Sequence, residues 1–352
     1  MVKYVRCTMN GHNTAISLRR PDDFHLHVRQ ESLLRAVVPA TARVFGRALI
    51  MPNTLPPVAT AEQVEKYREQ VRQAGAAWPH FEPLMSFKLS EQSIRNWNLS
   101  DVLRAKERGL VAAKYYPEGA TTNSEDGVRD ARALYPIFEV MQDADLVLAI
   151  HGEDPAAFCL DRESAFLPVL ERISRDFPRL RIVLEHVSSR EGVEMVSALP
   201  KTVAATVTLH HLVLTLDDVT GGLLAPHHFC KPVVKSPEDR DSLRAAVFSG
   251  NPKFFFGSDS APHLKESKEN AHGSAGIYTA PVLMPALAEL FSSFGVIDRL
   301  EAFTSSFGAD FYRLPRSTDR IVLEPEPFTV PGELGGVVPF RAGETLGWTV
   351  NG

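Results

Sequence analysis

Three cysteines in 352 residues, Cys7, Cys159 and Cys230, form no CxxC pair. That scarcity excludes a disulfide-stapled secreted scaffold and a cysteine-rich zinc site, and it fits a reducing cytoplasmic compartment. Basic charge is also short: 38 Lys and Arg against 43 Asp and Glu give a net charge of −5. No basic stripe is offered to nucleic acid or to an anionic membrane, so small molecules are the expected partners. No apolar run approaches the roughly 18 residues needed to span a bilayer, and residues 1–20 contain no apolar signal core. No GxGxxG follows the first predicted strand, which weighs against a doubly wound dinucleotide-binding sheet. What remains is an ordinary core-forming composition, 44% hydrophobic and 23% charged.

What is present is an alternation. Strand patterns at 22–29, 47–53, 81–89, 110–117, 146–152, 181–186, 203–209 and 253–259 are separated by helical spacing at 31–43, 60–75, 101–108, 128–141, 164–175, 190–198 and 237–249. Thr60 is a plausible N-cap for the second helix. Most of these strands are near-continuous apolar runs, as expected where both faces of a sheet are covered. Eight such units predict a (β/α)8 TIM-type barrel, an α/β fold. Its core spans about 20–315, and a Pro- and Gly-rich extension over about 316–352 packs on it with the N-terminal residues. The whole is one domain.

In such a barrel the reactive residues sit at the C-terminal ends of the strands. The first strand carries His25, His27 and Arg29, two residues apart and therefore on one face. Two imidazoles about 7 Å apart can converge on one metal where the strand end is curved or recessed, although such a triplet alone is more often two histidines on a polar strand face. The other strand ends supply Asn53, Lys114, His151, His186 and Asp259, with His263 just beyond. Four histidines and a carboxylate exceed the needs of one zinc and point to a pair of ions, typically about 3.5–4 Å apart. An ammonium cannot ligate such a pair. A lysine desolvated beside cations loses its proton more easily, and the neutral amine of Lys114 can add carbon dioxide to become a carbamate with two ligating oxygens.

The segments RRPDDFHLHVR, ALIMPNT, AAKYYPEGATTNS, IHGE, EHVSS, GSDSAPH and the closing VPFRAGETLGWTV occur in that order. Together they resemble dihydroorotase of the short monofunctional bacterial type, in the amidohydrolase superfamily. The resemblance implies a homodimeric enzyme of pyrimidine synthesis that interconverts N-carbamoyl-L-aspartate and L-dihydroorotate with two zinc ions per subunit. By motif match, His25, His27 and Asp259 would hold one zinc and His151 and His186 the other, bridged by carboxylated Lys114. Asp259 would also move the proton. Arg29, Asn53 and His263 fall where the family binds the substrate carboxylate, Thr121 and Thr122 in its mobile loop, and Lys231 and Ala275 where the backbone meets the ring.

Two departures from the family pattern stand out. Lys231 is charged where relatives carry an apolar residue, and Gln30 replaces an acidic one. His210, His211, His227 and His228 are expected as structural or rim histidines, and Cys230 as a small buried residue. The competing readings are a hydantoinase or allantoinase, which would share the metals and lack the carboxylate clamp, and a metal-free pseudoenzyme acting as a binding protein.

Overall fold

The computed structural model describes residues 14–91 and 93–351. Cys7 lies outside them. The first strand, β1 (Ile16–Arg19), pairs antiparallel with β10 (Arg320–Glu324), which pairs in turn with β13 (Thr349–Asn351). A two-stranded ribbon, β11 (Phe328–Thr329) with β12 (Thr345–Leu346), completes the extension. Between them lie eight parallel strands in unbroken chain order: β2 (Asp22–Leu26), β3 (Arg47–Ile50), β4 (Glu82–Lys88), β5 (Leu110–Tyr115), β6 (Val147–Ile150), β7 (Ile182–Leu184), β8 (Val203–Val207) and β9 (Phe254–Phe256). The seam between β9 and β2 is joined by a parallel bridge from Leu26 to Ser260 and by Asp259 N donating to His25 O at 2.9 Å. The predicted (β/α)8 barrel is therefore the fold.

The period of two explains how one sequence fills two layers. Leu148 and Ile150 of β6 face the helices, where they join the large sheet–helix core, while Val147 and Ala149 face the barrel axis. Leu49, Leu84, Ala112, Val183, Ala204 and Phe255 also point inward, and Phe24 and Tyr312 stack at 4.7 Å to close the bottom. Nearer the mouth, the inward positions of five strands are polar: Lys88, Lys114, His151, Glu185 and Thr206, all buried. The barrel register itself delivers a polar layer at the C-terminal mouth.

The connecting helices begin as their sequences ask. Thr60 caps the helix Ala61–Ala74 in a reciprocal capping box with Gln63, and Ser236 does the same with Asp239 for Pro237–Phe248. Some boundaries differ from the sequence pattern. The strand predicted through Arg29 ends at Leu26, because a register shift between Asp23 and Leu26 and a positive φ of 59° at Arg29 break the alternation. The helix predicted from Val128 starts as a tight turn at Ala131–Leu134 before Tyr135–Asp143. Beyond Val207 the chain turns into a short helix, Leu209–Val213, capped by Thr208, so His210 and His211 are helical residues rather than a strand end.

Candidate metal centre

His25 and His27 are aimed into the mouth by the bulged end of β2. Gly257 lets them sit there: a Cβ at that position would lie 2.8 Å from Thr206 side-chain carbons and 3.0 Å from His25 Cβ. His25 Nδ1 lies 2.7 Å from Glu185 Oε2, and His27 Nδ1 lies 2.8 Å from Asn53 Oδ1. Both partners are acceptors, so each imidazole carries its proton on Nδ1. The two Nε2 lone pairs then face each other at 3.2 Å and face Asp259 Oδ1 at 3.3 and 3.1 Å. Two ring nitrogens and a carboxylate oxygen thus converge on one buried point, a donor set that fits a cation.

A second pair stands beside the first. His151 Nε2 is held 2.7 Å from Glu153 Oε2, which turns His151 Nδ1 toward His186 Nε2 at 3.1 Å. His186 has opposite strand parity to the inward residues, and its φ of 42° brings it in; Asp259 is turned likewise at 43°. The His25 and His186 rings are 5.0 Å apart, so the two pairs form one cluster. Lys114 Nζ is buried without a hydrogen-bond partner, 5.3 Å from the Tyr116 ring centroid.

The electrostatics favour cation binding. Burial pushes the Lys114 ammonium down to about 8, against Glu185 and Asp259, which pull it up. Burial pushes His27 down to about 4 despite Asp259, and it lowers His151 and His186 as well, so these rings are neutral donors. Burial alone would raise Asp259, but its contacts with His25 and His27 hold it well below the usual carboxylate range. An orphaned buried amine, converging lone pairs and a fixed carboxylate together fit a metal pair bridged through a modified lysine.

The remaining expected residues line the approach. His27, Arg29, Asn53, Thr121, Thr122, Lys231, Asp259, Ala261, Ala275 and Gly276 surround one cavity. Arg29 donates through Nε to Pro262 O and through Nη2 to His263 Nε2, each at 2.9 Å. His263 Nε2 is also 3.0 Å from Ala275 O, and it can accept from Arg29 or donate to that carbonyl, not both. Burial and the Arg29 charge push His263 down to about 3. Asn53 Nδ2 donates to Thr122 O at 3.3 Å, bringing the 118–127 loop against the site.

Gln30, at the edge of the site beside Arg29 and Asn53, bonds the Leu55 backbone through both ends of its amide. Cys230 is buried, its thiol pushed up to about 12 by burial. His211 is tied to Thr208 and Pro232, His227 to Glu269 and His228 to Asp218 O, whereas the buried His210 ring packs 4.6 Å from His211 and makes no hydrogen bond among the described residues. The sequence pattern did not single out Glu185, Glu153 or Tyr67. Glu153 lies two residues after the histidine it orients, a local signal, whereas Glu185 precedes one candidate ligand but orients another, His25, from a distant strand. Tyr67 donates to Arg29 O at 2.5 Å from a distant helix, and no local signal marks it.

The chain matches the amidohydrolase family model over residues 23–206. It is 45% identical over 345 residues to the dihydroorotase of Shewanella woodyi, covering 96% of this chain and 99% of that protein. Against the dihydroorotase of Marinobacter nauticus the identity is 46%, covering 95% and 98%. The structure of dihydroorotase from Campylobacter jejuni is similar with a TM-score of 0.88 and 37% identity, covering 97% of this chain and 99% of that one. The L-hydantoinase of Arthrobacter aurescens, at 16% identity and a TM-score of 0.79 over 94% of this chain and 82% of that one, shares the fold.

Proposed function

The chain belongs to the dihydroorotase family of amidohydrolases, and from that premise we propose that it interconverts N-carbamoyl-L-aspartate and L-dihydroorotate in pyrimidine synthesis. The observation that carries the reading is the convergence of His25 Nε2, His27 Nε2 and Asp259 Oδ1, all within 3.3 Å and buried at the barrel mouth. We assign His25, His27 and Asp259 to one zinc and His151 and His186 to the other, with Lys114 as a carbamate bridging both. When bound, such a pair supplies Lewis acidity, which acidifies water and polarises an amide carbonyl.

The protein's own residues do the rest. Asp259 is placed to take a proton from the attacking water and deliver it to the ring nitrogen that leaves; in the synthetic direction it receives the ureido proton as the ring closes. The Arg29 guanidinium has five N–H groups, two of them used on Pro262 and His263, which leaves donors for the spectator carboxylate. Neutral His263 and the Asn53 amide complete that clamp. Thr121 and Thr122 cover the substrate and exclude water, while the backbone near Lys231 and Ala275 meets the ring. A cytoplasmic homodimer follows from the same family reading. Among the described residues no helix is long and apolar enough to cross a membrane.

The test is substrate choice. Purified enzyme is offered L-dihydroorotate, hydantoin and allantoin; dihydroorotate is turned over and the carboxylate-free rings are not. Arg29→Gln removes the preference by raising KM for dihydroorotate, by about tenfold or more for a lost charge-assisted pair. Equal turnover of hydantoin by the wild type would overturn the reading.

A further inference from the structure

We propose that Lys88 is a positioning residue: with Asp126 as its counter-charge, it latches the 118–127 loop over the metal centre and so places Thr121 and Thr122. The inference rests on the reading of that loop as the segment that covers substrate.

Lys88 ends β4 in the inward register, its side chain only 2% exposed. Its Nζ donates to Asn123 O at 2.7 Å and makes an ion pair with Asp126. Both partners belong to the loop. Asn123 in turn, in the left-handed region with φ 56°, donates through Nδ2 to Asn53 O at 2.9 Å. Asn53 donates to Thr122 O and accepts from His27 Nδ1. The Thr122–Asn123 stretch is thus gripped from two sides, by a charge on the barrel wall and by the amide that orients a candidate metal ligand.

The physics makes the grip conditional. A buried ammonium is costly unless it is paired and hydrogen-bonded. With the loop seated, Lys88 has a carbonyl and a carboxylate; with the loop lifted, it loses both and meets water instead. Asp126, with 56% of its side chain exposed, is hydrated in either state. The two partners are therefore unequal. Removing the carboxylate leaves a half-compensated ammonium under the closed loop and favours opening. Removing the ammonium takes away both contacts, to Asn123 O and to Asp126, and releases the loop.

The experiment compares wild type, Asp126→Asn, Lys88→Met and the double variant, assayed with L-dihydroorotate. Lys88→Met and Asp126→Asn each lower kcat/KM on the order of tenfold, as for coupled neighbours, and the double variant falls no further than the worse single variant. Hydrogen exchange over 119–127, measured on the same proteins, is faster in both single variants and no faster in the double variant than in Lys88→Met. Additive losses, or unchanged exchange and kinetics in Asp126→Asn, would overturn the latch. If the wild type does not turn over dihydroorotate, the functional reading fails, and the exchange data still decide the latch.

Discussion

Glu185 Oε2 lies 2.7 Å from His25 Nδ1, and neither side chain is open to solvent. Thr206 Oγ1 donates to the same carboxylate oxygen at 2.6 Å, fixing it from below. Burial would raise Glu185, but His25 and Lys114 hold it below the ordinary range. A charged carboxylate behind a ligating imidazole sets its tautomer and increases its donor strength, and losing it typically costs about 10–100-fold in metal affinity. Glu185→Gln is expected to weaken zinc binding within that range, read by competition with a chromophoric chelator. Wild-type affinity in this variant would remove Glu185 from the account.

Lys114 has no hydrogen-bond partner among the described residues, so its replacement is expected to leave the barrel intact while removing the proposed bridge. Lys114→Ala is expected to lose activity by roughly 10²-fold or more, comparable to loss of a direct catalytic group, and to bind fewer metal ions per chain. A short carboxylic acid added back restores part of the activity. With its folded value near 8, the neutral amine that captures carbon dioxide becomes more abundant as pH rises toward 8. Reactivation of metal-free enzyme by bicarbonate and zinc is therefore faster at pH 8 than at pH 6.5. Activity of Lys114→Ala equal to wild type at low carbon dioxide would contradict the bridge.

His263, pushed down to about 3 in the folded protein, binds its proton in the unfolded chain near the ordinary histidine value of about 6.5. Its contribution to stability is complete above that value and is lost as pH falls toward 3, because the unfolded state then holds the extra proton. In metal-free protein, His263→Gln should lose less stability than wild type between pH 6.5 and pH 4.5, measured by urea unfolding. Parallel losses would show that the ring is not held neutral. The same variant should raise KM for dihydroorotate more than it lowers kcat.

The barrel was legible because eight apolar strands alternate with helical spacing, and the register that packs Ala112 and Ala149 inward also presents Lys114 and His151. The direction of His186 was not, since it depends on a positive φ that period-two reasoning does not supply. The same limit applies to Arg29, placed on the correct side for the wrong reason: it is turned in by a backbone kink, not by strand alternation. Groups that act through others, such as Tyr67 on the Arg29 carbonyl, come from distant elements and leave no local pattern.

The central claim is that this mouth acts on dihydroorotate only with metal held by His25, His27, His151, His186, Asp259 and modified Lys114. It is tested most directly by following loss of L-dihydroorotate by ultraviolet absorbance, with chelator-stripped protein before and after zinc is returned. The account predicts no consumption by the stripped protein and recovery once zinc and bicarbonate are supplied. Consumption without metal, or zinc bound tightly with dihydroorotate untouched, would contradict it.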